Sequence, residues 1–334
     1  MDEVLAVLDD DLGERVAAAR AALADRDGVV VAFSGGVDSS VVAALAHDAL
    51  GEDAVACTAK SETLPAAELD DARRVADEIG VRHETVSFSE LDDPAFVAND
   101  DDRCYHCRTM RLGKMYETAK ELGIETVCDG TNASDPGEGH RPGLRAVEEL
   151  SVYSPLLDHG LDKDDVRAVA DAYGLSVADK PSMACLSSRI PTGLEVTETR
   201  LSRIEEAERL LRTWGFEQFR VRDHDGLARI EVGPDELDRA LDTDFAAAAR
   251  DHLTDAGFDH VTLDLGGYRT GSVSPADEER VDEDEAEEAA PDEGDTDRRD
   301  ADGAVASASG SATDDGGDEP LVADVFAREY PGGE

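Results

Sequence analysis

The sequence predicts an α/β fold, with a doubly wound parallel sheet followed by a smaller C-terminal α+β domain and a disordered acidic tail. Between residues 29 and 173, apolar β-type runs alternate with amphipathic helical segments, which is typical of a parallel sheet covered by helices on both faces. After Arg189 the order changes to a helix, two strands, a helix and a strand. The expected domains are residues 1–190, 191–272 and 273–334.

The first domain opens with helical spacing of apolar residues over 2–26. Four short β-type runs then predict strands, at Val29–Phe33, Ala54–Thr58, Arg82–Phe88 and Thr126–Asp129. The intervening and following segments predict helices, at Asp38–Leu50, Pro65–Ile79, Arg108–Leu122 and Lys163–Tyr173. Sheets of this kind bind ligands beyond the carboxyl ends of their strands, so we expect the site at that edge.

The second domain begins with a strongly amphipathic helix over Thr197–Trp214. Strands at Gln218–Arg222 and Ala228–Val232, a helical segment and a last strand at His260–Leu265 follow, roughly in ferredoxin-like order. Residues 274–320 hold 19 acidic residues and three arginines, and valine is their only large apolar residue. Such a segment buries too little apolar surface to offset its ordering entropy, so we expect a disordered, solvating tail.

Charge and cysteine content narrow the class of protein. The 334 residues include 79 acidic and 32 basic ones, for a formal net charge of -47, and only five of the basic residues are lysines. This balance indicates a surface adapted to high salt, which screens self-repulsion, and it disfavours nucleic-acid binding, which needs basic patches. No apolar window is long enough to span a membrane, so we expect a cytoplasmic protein whose five cysteines are thiols or metal ligands.

The loop "SGGVDSS", Ser34 to Ser40, follows the first apolar strand and opens a helix. Its two glycines allow close backbone approach, and backbone N–H groups, hydroxyls and the helix N-terminus together favour phosphate or pyrophosphate. The loop lacks the lysine of a Walker A motif. A tight turn that needs glycine for geometry alone is the alternative. The predicted phosphate-binding residues are Ser34, Gly35, Gly36, Asp38, Ser39 and Ser40, with Asp38 also placed to help hold Mg²⁺.

The same loop resembles the PP-loop of the N-type ATP pyrophosphatases, which implies an adenine nucleotide alpha hydrolase-like fold and ATP as a ligand. In that superfamily the next strand end meets the adenosine, which points here to Ala56, Thr58 and Ser61. The motif "CDGTNASD" follows a later strand and places Asp129, Thr131 and Asn132 at the same edge of the sheet. An Asx-rich turn without nucleotide contact is the alternative for this motif.

Three cysteines form a candidate metal-binding set. Cys104 and Cys107 make a C-x-x-C at the start of a predicted helix, and Cys185 lies in "KPSMACLSSRIP" at the end of the first domain. Three thiolates on a 4Fe-4S cluster would leave one iron open to an additional sulfide. Zinc bound with help from His106, or a redox pair without metal, are the alternatives. Cys57 and Cys128 fall in strands and are interpreted as core residues.

Six motifs in order resemble the LarE family of ATP-dependent sulfur transferases, over the chain from its first helix to Ser272. They are "SGGVDSS", "DRCYHC", "DGTNASD", "KPSMACLSSRIPTG", "RVRDHDGLARIEV" and "GYRTGS". The resemblance implies that a carboxylate of a pyridinium dicarboxylate mononucleotide is adenylated with release of pyrophosphate, and that sulfur then displaces AMP. The thiocarboxylate product lies on the route to the nickel-pincer nucleotide cofactor.

The resemblance also implies roles for individual residues. Members with one matching cysteine give up its sulfur, whereas members that add the C-x-x-C hold a 4Fe-4S cluster, and this sequence matches the second kind at Cys104, Cys107 and Cys185. The implied catalytic residues are Cys185, Asp38, Arg189 and Glu231. The implied substrate-binding residues are Ser188, Glu208, Arg220, Arg222 and Arg269. Exposed strand arginines in salt bridges, and a solvated helix face for Glu208, are the alternatives.

Other functions remain open at this point. A PP-loop tRNA thiolation enzyme also combines this loop with three cysteines, but it usually carries zinc-binding or RNA-binding elements that are not evident here. An amide synthetase of the superfamily is disfavoured because no glutaminase region is evident. A non-catalytic adenine-nucleotide sensor would need the loop but not the three cysteines. We expect a homo-oligomer that acts on a small nucleotide substrate, with neither a membrane nor a nucleic acid as partner.

Overall fold

The computed structural model describes residues 2–137, 142–180 and 184–269, so the tail expected at 273–334 lies outside the described residues. The helices of the first part are α1 (Asp2–Leu5), α2 (Asp10–Ala24), α3 (Val37–Leu50), α4 (Ala66–Ile79), α5 (Pro94–Ala98), α6 (Arg103–Leu122), α7 (Pro142–Glu149), α8 (Pro155–Asp158) and α9 (Lys163–Ala172). Those of the second part are α10 (Glu198–Thr213), α11 (Leu237–Ala240) and α12 (Thr243–Asp255).

A four-stranded parallel sheet forms the centre of the first part. Its strands are β1 (Val29–Ala32), β2 (Ala54–Lys60), β3 (Arg82–Ser87) and β4 (Thr126–Cys128), in the spatial order β3-β2-β1-β4. Every neighbouring pair is parallel, with Val30 opposite Val55 and Val127. The sheet therefore confirms the predicted α/β class and the four predicted strands, whose ends agree to within two residues.

Alternate residues of the strands enter two different cores. Val29 and Val31 of β1 pack in the core that contains α2, α3 and α9, whereas Val30 packs with Met115 and Ala119 of α6 on the other face. Both faces of the sheet are thus covered by helices. Because strands buried on both faces read as continuous apolar runs, the run of valines in β1 follows from this architecture.

Two helix starts differ from the predictions. The helical spacing over 2–26 is divided into α1, which ends at Leu5, and α2, whose N-cap Asp9 accepts a hydrogen bond on its side chain from the backbone N of Leu12. The helix expected from Arg108 begins at Arg103, so Cys104 and Cys107 lie in its first turns. Their segment is polar and lacks the apolar periodicity that reveals a helix.

A three-stranded sheet forms the second part, with β5 (Phe219–His224), β6 (Leu227–Val232) and β7 (His260–Leu263) in that order. The pair β5–β6 is antiparallel and β6–β7 is parallel. The predicted order of elements is confirmed, but a ferredoxin-like sheet has four strands, and residues 184–269 contribute three. The domain division at residue 190 stays a prediction.

Within the described ranges, no helix is both long and apolar enough to cross a membrane.

Candidate active site

A cavity of about 640 Å³ opens at the carboxyl ends of β1, β2 and β4. Because β2 and β4 lie on opposite sides of β1, the connections that follow β1 and β4 diverge and leave a crevice between them. The loop after β1, the loop after β4 and the first three turns of α6 line this cavity. The cavity lies at the edge of the sheet where the sequence predicts the ligand.

Two glycines allow the backbones around the cavity to approach closely. Gly35 has a φ of 71°, and a Cβ there would lie 2.7 Å from Cα of Ala72 on α4. A Cβ on Gly130, after β4, would lie 2.8 Å from the backbone N of Ser39 at the start of α3. Asp38 and Ser39 line the cavity, so the N-terminus of α3 offers its free N–H groups and partial positive charge to an anion there.

The serine hydroxyls of the loop are bonded within the loop itself. Ser39 Oγ and Ser40 Oγ donate to the carbonyl oxygen of Gly36 at 3.1 and 2.8 Å. Ser34 Oγ accepts from the backbone N of Gly36 at 3.3 Å. Ser40 is completely buried, whereas Ser34 and Ser39 line the cavity. These bonds stabilise the conformation of the loop. That conformation agrees both with glycines needed only for a tight turn and with glycines that let the backbone bind a phosphate.

Lys163 supplies a positive charge beside the loop, although the sequence pattern marks it only as the first residue of a predicted helix. Its Nζ lies 2.6 Å from Oδ2 of Asp38, and Nδ2 of Asn132 donates to Oδ1 of the same carboxylate at 2.9 Å. All three side chains line the cavity. The structure therefore brings together the loop after β1, the loop after β4 and the start of α9. The rarity of lysine could have pointed to this residue, since Lys163 is one of only five lysines in the chain.

A buried carboxylate organises the loop after β4. Asp129 is 1% exposed and accepts hydrogen bonds from Thr131 Oγ1 and Ser154 Oγ, both at 2.6 Å. Arg108 of α6 also donates to Asp129, and its side chain lines the cavity. Asp129 thus holds a cation and a threonine at the cavity wall.

The residues predicted near adenosine separate in the structure. Thr58 lines the cavity, and its hydroxyl donates to the carbonyl of Phe33 at 2.9 Å, so Nε2 of His83, 2.8 Å away, must donate to Thr58. Burial, assisted by the charge of Arg73, lowers the pKa of His83, which agrees with a neutral ring. Ala56, which shares a face of β2 with Thr58, is completely buried in the core that contains α2, α3 and α9.

In place of Ala56, its neighbours Cys57 and Ala59 line the cavity. Ser61 lies outside that lining and donates its hydroxyl to the carboxylate of Glu90 at 2.8 Å. Glu90 is completely buried and was not identified from the sequence. It also accepts hydrogen bonds from Cys107 Sγ and from Nε of Arg111, both at 3.0 Å.

Arg111 connects the cavity with two of the three cysteines. Its side chain lines the cavity, and its positive charge acts on the thiols of both Cys107 and Cys185. Arg111 follows Cys107 by four residues on α6, so helical spacing is the sequence signal that points to it. Cys104 is exposed and lines the cavity directly.

The two thiols near Arg111 differ in acidity. Burial raises the pKa of Cys107, and its carboxylate neighbour Glu90 adds to this effect, so the thiol stays protonated and donates to Glu90. Burial also acts against the thiolate of Cys185. However, the charges of Arg103 and Arg111 and a hydrogen bond with Ser187 Oγ lower its pKa below the ordinary value. Cys185 is therefore the more readily ionised of the two.

The three cysteines and His106 are the candidate metal ligands. In the described part of the chain, no group of three or more His, Cys, Asp or Glu side chains is arranged to hold a metal ion. This gives no support to a zinc ion bound with His106. The same finding gives no support to the expected 4Fe-4S cluster, although Cys104, Cys107 and Cys185 are soft thiols of the type that such clusters use and the charges of Arg103 and Arg111 act on Cys185.

Basic residues of the second sheet reach the turn that carries Cys185. Arg222 donates from Nε to Oε1 of Glu231 at 2.6 Å and from Nη1 to the carbonyl of Ser188 at 3.2 Å. The guanidinium of Arg220 lies over the Tyr268 ring at 5.1 Å, and burial lowers its pKa. The structure thus brings Arg222 and Glu231 together with Ser188.

The other three residues from the resemblance differ in their exposure. Arg269 is exposed at the end of the described chain. Arg189 and Glu208 are buried and bonded to each other, with Nε to Oε1 at 2.9 Å. In this arrangement neither side chain is accessible to a substrate.

Comparison with known proteins gives four results. The asparagine synthase family model matches residues 13–107. The uncharacterized protein slr1717 of Synechocystis sp. is 40% identical over 248 residues, which cover 74% of this chain and 92% of that protein. The pyridinium-3,5-bisthiocarboxylic acid mononucleotide synthase of Lactiplantibacillus plantarum is 36% identical over 255 residues, 76% of this chain and 91% of that protein. The tRNA-specific 2-thiouridylase MnmA of Maricaulis maris is 34% identical over 190 residues, 46% of each chain.

Proposed function

The chain belongs to the LarE family of PP-loop sulfur transferases, and on this basis we propose that it adenylates a carboxylate of pyridinium-3,5-dicarboxylate mononucleotide and replaces AMP with sulfur. The product would be a thiocarboxylate for nickel-pincer nucleotide cofactor biosynthesis. One observation carries the proposal. A single cavity is lined on one side by the Ser34–Ser40 loop and on the other by Cys104 and Arg111.

In the first step, a carboxylate oxygen of the substrate attacks the α-phosphorus of ATP, and pyrophosphate leaves with the electrons of the broken P–O bond. The N-terminus of α3 and the ammonium of Lys163 stabilise the leaving pyrophosphate. Asp38 holds Lys163 at 2.6 Å, and its carboxylate suits a Mg²⁺ ion that would neutralise phosphate charge. The product of this step is an acyl adenylate, which is a far better electrophile than the carboxylate.

In the second step, sulfur attacks the carbonyl carbon of the acyl adenylate, and AMP leaves with the bridging oxygen. Cys104, Cys107 and Cys185 would hold a 4Fe-4S cluster, which would supply the sulfide that acts as the sulfur donor. Arg103 and Arg111 compensate the thiolate charge that this requires. Arg220, Arg222 and Arg269 would bind the phosphate of the substrate, and Glu231 orients Arg222 at 2.6 Å.

The overall reaction is tested with protein purified without oxygen at high salt, incubated with ATP and the pyridinium substrate. We expect pyrophosphate, AMP and a thiocarboxylate detected by mass spectrometry, with pyrophosphate release dependent on the substrate. Pyrophosphate release without any thiocarboxylate, when sulfide is supplied, would contradict the assignment. No release of pyrophosphate would instead support a nucleotide-binding protein without catalysis.

The cluster is tested by iron and sulfide analysis of the anaerobic protein. We expect about four irons per chain, as a cubane cluster requires. Cys104→Ala and Cys185→Ala should each lose most of the iron. Cys128→Ala is the matched control, because Cys128 is buried in the sheet core. Retention of iron in both ligand variants would overturn the cluster, and Cys185 would then be the candidate for a sacrificial sulfur donor.

A tRNA thiolation enzyme is the second candidate, because the similarity to the 2-thiouridylase MnmA favours it. That match spans 46% of each chain, against 76% of this chain for the mononucleotide synthase. The net charge of -47 also opposes binding to a polyanion. Filter binding of tRNA at high salt separates the two functions, since tight and specific binding would support thiolation of tRNA.

We further attribute the net negative charge to adaptation of the protein to a high-salt cell interior, and we expect the protein to be a homo-oligomer.

A further inference from the structure

A buried ion pair joins the turn that carries Cys185 to the second sheet. Arg189 ends the 3-10 turn Leu186–Arg189 and is 0% exposed, and Glu208 on α10 is 2% exposed. Arg189 donates from Nε to Oε1 of Glu208 at 2.9 Å and from Nη2 to Oε2 at 3.1 Å. Two parallel bonds of this kind fix the orientation of the partners as well as their separation.

The third nitrogen of Arg189 holds the backbone around the sulfur. Nη1 donates to the carbonyl oxygen of Ala184 at 2.6 Å and to that of Cys185 at 3.0 Å. It also donates to Oγ of Ser188 at 3.0 Å, and this hydroxyl donates in turn to the Cys185 carbonyl at 2.7 Å. One guanidinium therefore fixes the peptide groups on both sides of Cys185, which sets the position from which its Sγ projects.

Glu208 extends the same network to the strand that carries the candidate substrate-binding arginines. Its Oε1 accepts a hydrogen bond from the backbone N of Val221 at 3.1 Å, in addition to the bond from Arg189. Val221 lies on β5 between Arg220 and Arg222, whose side chains are both less than a tenth exposed. Arg222 connects this strand back to the Cys185 turn, because its Nη1 donates a hydrogen bond to the carbonyl oxygen of Ser188 at 3.2 Å.

From these contacts we propose that Arg189 and Glu208 form a positioning pair that sets the distance between the sulfur site at Cys185 and the substrate held by Arg220 and Arg222. This inference rests on the proposed sulfur transfer and assigns the pair no contact with substrate. Loss of either charge leaves the other one buried and uncompensated, and the turn and the strand then lose their common anchor. A displacement of about 1 Å at a reacting centre slows a step by roughly 100-fold.

The pair should act on sulfur transfer and not on adenylation, because the ATP cavity is lined by β1, β2, β4 and α6. We expect Glu208→Gln and Arg189→Lys to release pyrophosphate within a few-fold of the wild-type rate. The thiocarboxylate formed per pyrophosphate should fall about 10- to 100-fold, since the activated substrate is hydrolysed when sulfur is misplaced. This ratio distinguishes positioning from simple destabilisation, which would remove both products together.

Asp223→Asn is the matched control. Asp223 lies on the same strand, is 0% exposed, and accepts two parallel bonds from Arg203 of α10 at 2.7 and 2.6 Å. It is thus a buried carboxylate at the same helix–strand interface, and the hydrogen bonds described for it come from Arg200, Arg203 and Gly226, which all lie outside the Cys185 turn. We expect the product ratio of Asp223→Asn to equal that of the wild type. Equal losses in Asp223→Asn and Glu208→Gln, or an unchanged ratio in both pair variants, would overturn the proposal.

Hydrogen exchange gives a readout that does not depend on the reaction. We expect the peptide covering residues 184–190 to exchange at least tenfold faster in Glu208→Gln and Arg189→Lys, and at the wild-type rate in Asp223→Asn. If the wild type makes no thiocarboxylate, the proposed function fails while this exchange experiment still decides whether the pair holds the turn. Unchanged exchange in both pair variants would contradict the positioning role.

Discussion

Gly35 and Gly130 permit the close backbone contacts from which the anion site is built. The first, at a φ of 71°, lies against Ala72 of α4, and the second lies against the backbone N of Ser39. The sequence predicted the role of Gly35, because glycine between a strand and a helix indicates either close approach or a left-handed conformation, but it did not single out Gly130. The neighbouring backbone that makes the glycines necessary became visible only in the fold.

Gly35→Ala should be more destabilising than an alanine at an equally strained but open position. Gly51 provides that control, because its φ is 59° and a Cβ there would meet no atom within 4 Å. We expect Gly35→Ala to lower the free energy of unfolding by about 1–3 kcal/mol more than Gly51→Ala, owing to overlap with α4. Urea unfolding at high salt measures the difference. Equal effects of the two substitutions would contradict the steric account of the loop.

Lys163 should act on the departing pyrophosphate. Removing one preorganised charge from a site of this kind typically slows the step by about 10²- to 10³-fold, and we expect Lys163→Met to reduce substrate-dependent pyrophosphate release by that factor. Lys114→Met is the control, because Lys114 is a partly exposed lysine paired with Glu117 on α6. A pyrophosphate release rate within threefold of wild type in Lys163→Met would rule out this role.

The sequence could identify the type of site residue more readily than its orientation. Thr58 lies at the cavity as expected, whereas Ala56, two residues earlier on the same face of β2, is farther from the carboxyl end of the strand and is enclosed in the core. Glu90 carried no sequence signal, since it lies in a short turn after β3 and meets Cys107 only through the fold. Arg189 matched a motif, yet a motif cannot show that the side chain is enclosed.

The start of α9 shows how an element places a site residue. Asp162 and Asp165 form a capping box at its N-terminus, and Lys163 occupies the first helical position. Arg15 of α2 donates to both oxygens of Asp165, at 2.6 and 3.2 Å, which ties the two helices together. The position of Lys163 beside Asp38 thus depends on a cap and on an ion pair between helices.

The Asp165 ion pair predicts a pH-dependent contribution to stability. Hydrogen bonds from Arg15 hold the pKa of Asp165 below its ordinary value, although partial burial acts the other way. Stability from a lowered carboxyl pKa is present above the unfolded value of about 4 and is lost as the pH falls through the folded value. We expect Asp165→Asn to cost about 1–2 kcal/mol at pH 7 and progressively less below pH 4. A cost that stays constant down to pH 3 would contradict this.

Element boundaries were predictable where apolar periodicity marks them. The four strands of the parallel sheet were found to within two residues, and in β1 and β2 this is because their valine, alanine and cysteine runs are buried on both faces. The start of α6 was placed five residues late, since its first turn is stabilised by contacts made across the fold. Arg103, for example, donates to the carbonyl of Ser187 at 2.9 Å.

The charge of the whole molecule predicts dependence on salt. Acidic residues exceed basic ones by 79 to 32, so unscreened repulsion opposes the compact state. The screening length falls from about 10 Å at 0.1 M salt to about 3 Å at 1 M. We expect the thermal midpoint to rise steadily across that range with either NaCl or KCl. A thermal midpoint that stays constant or falls with added salt would show that charge repulsion does not contribute significantly to the stability of the folded protein.

The general architecture of the molecule was predictable because alternating strands and helices allow few topologies. The sequence could not predict that Arg111, Glu90 and the Cys185 turn lie close together on one side of the nucleotide cavity. These residues belong to α6, to the turn after β3 and to the end of the first sheet region, which only the fold brings together. The order of the second sheet was also beyond the sequence, because strand pairing depends on long-range contacts that local periodicity does not contain.

Oxygen transfer from substrate to nucleotide tests the central claim most directly. The pyridinium substrate is labelled with ¹⁸O in its carboxylates and turned over with ATP, and AMP and pyrophosphate are analysed by mass spectrometry. If a carboxylate attacks the α-phosphorus and sulfur then displaces AMP, each AMP carries one labelled oxygen and pyrophosphate carries none. Label in pyrophosphate, or unlabelled AMP beside a thiocarboxylate product, would contradict adenylation at the Ser34–Ser40 loop.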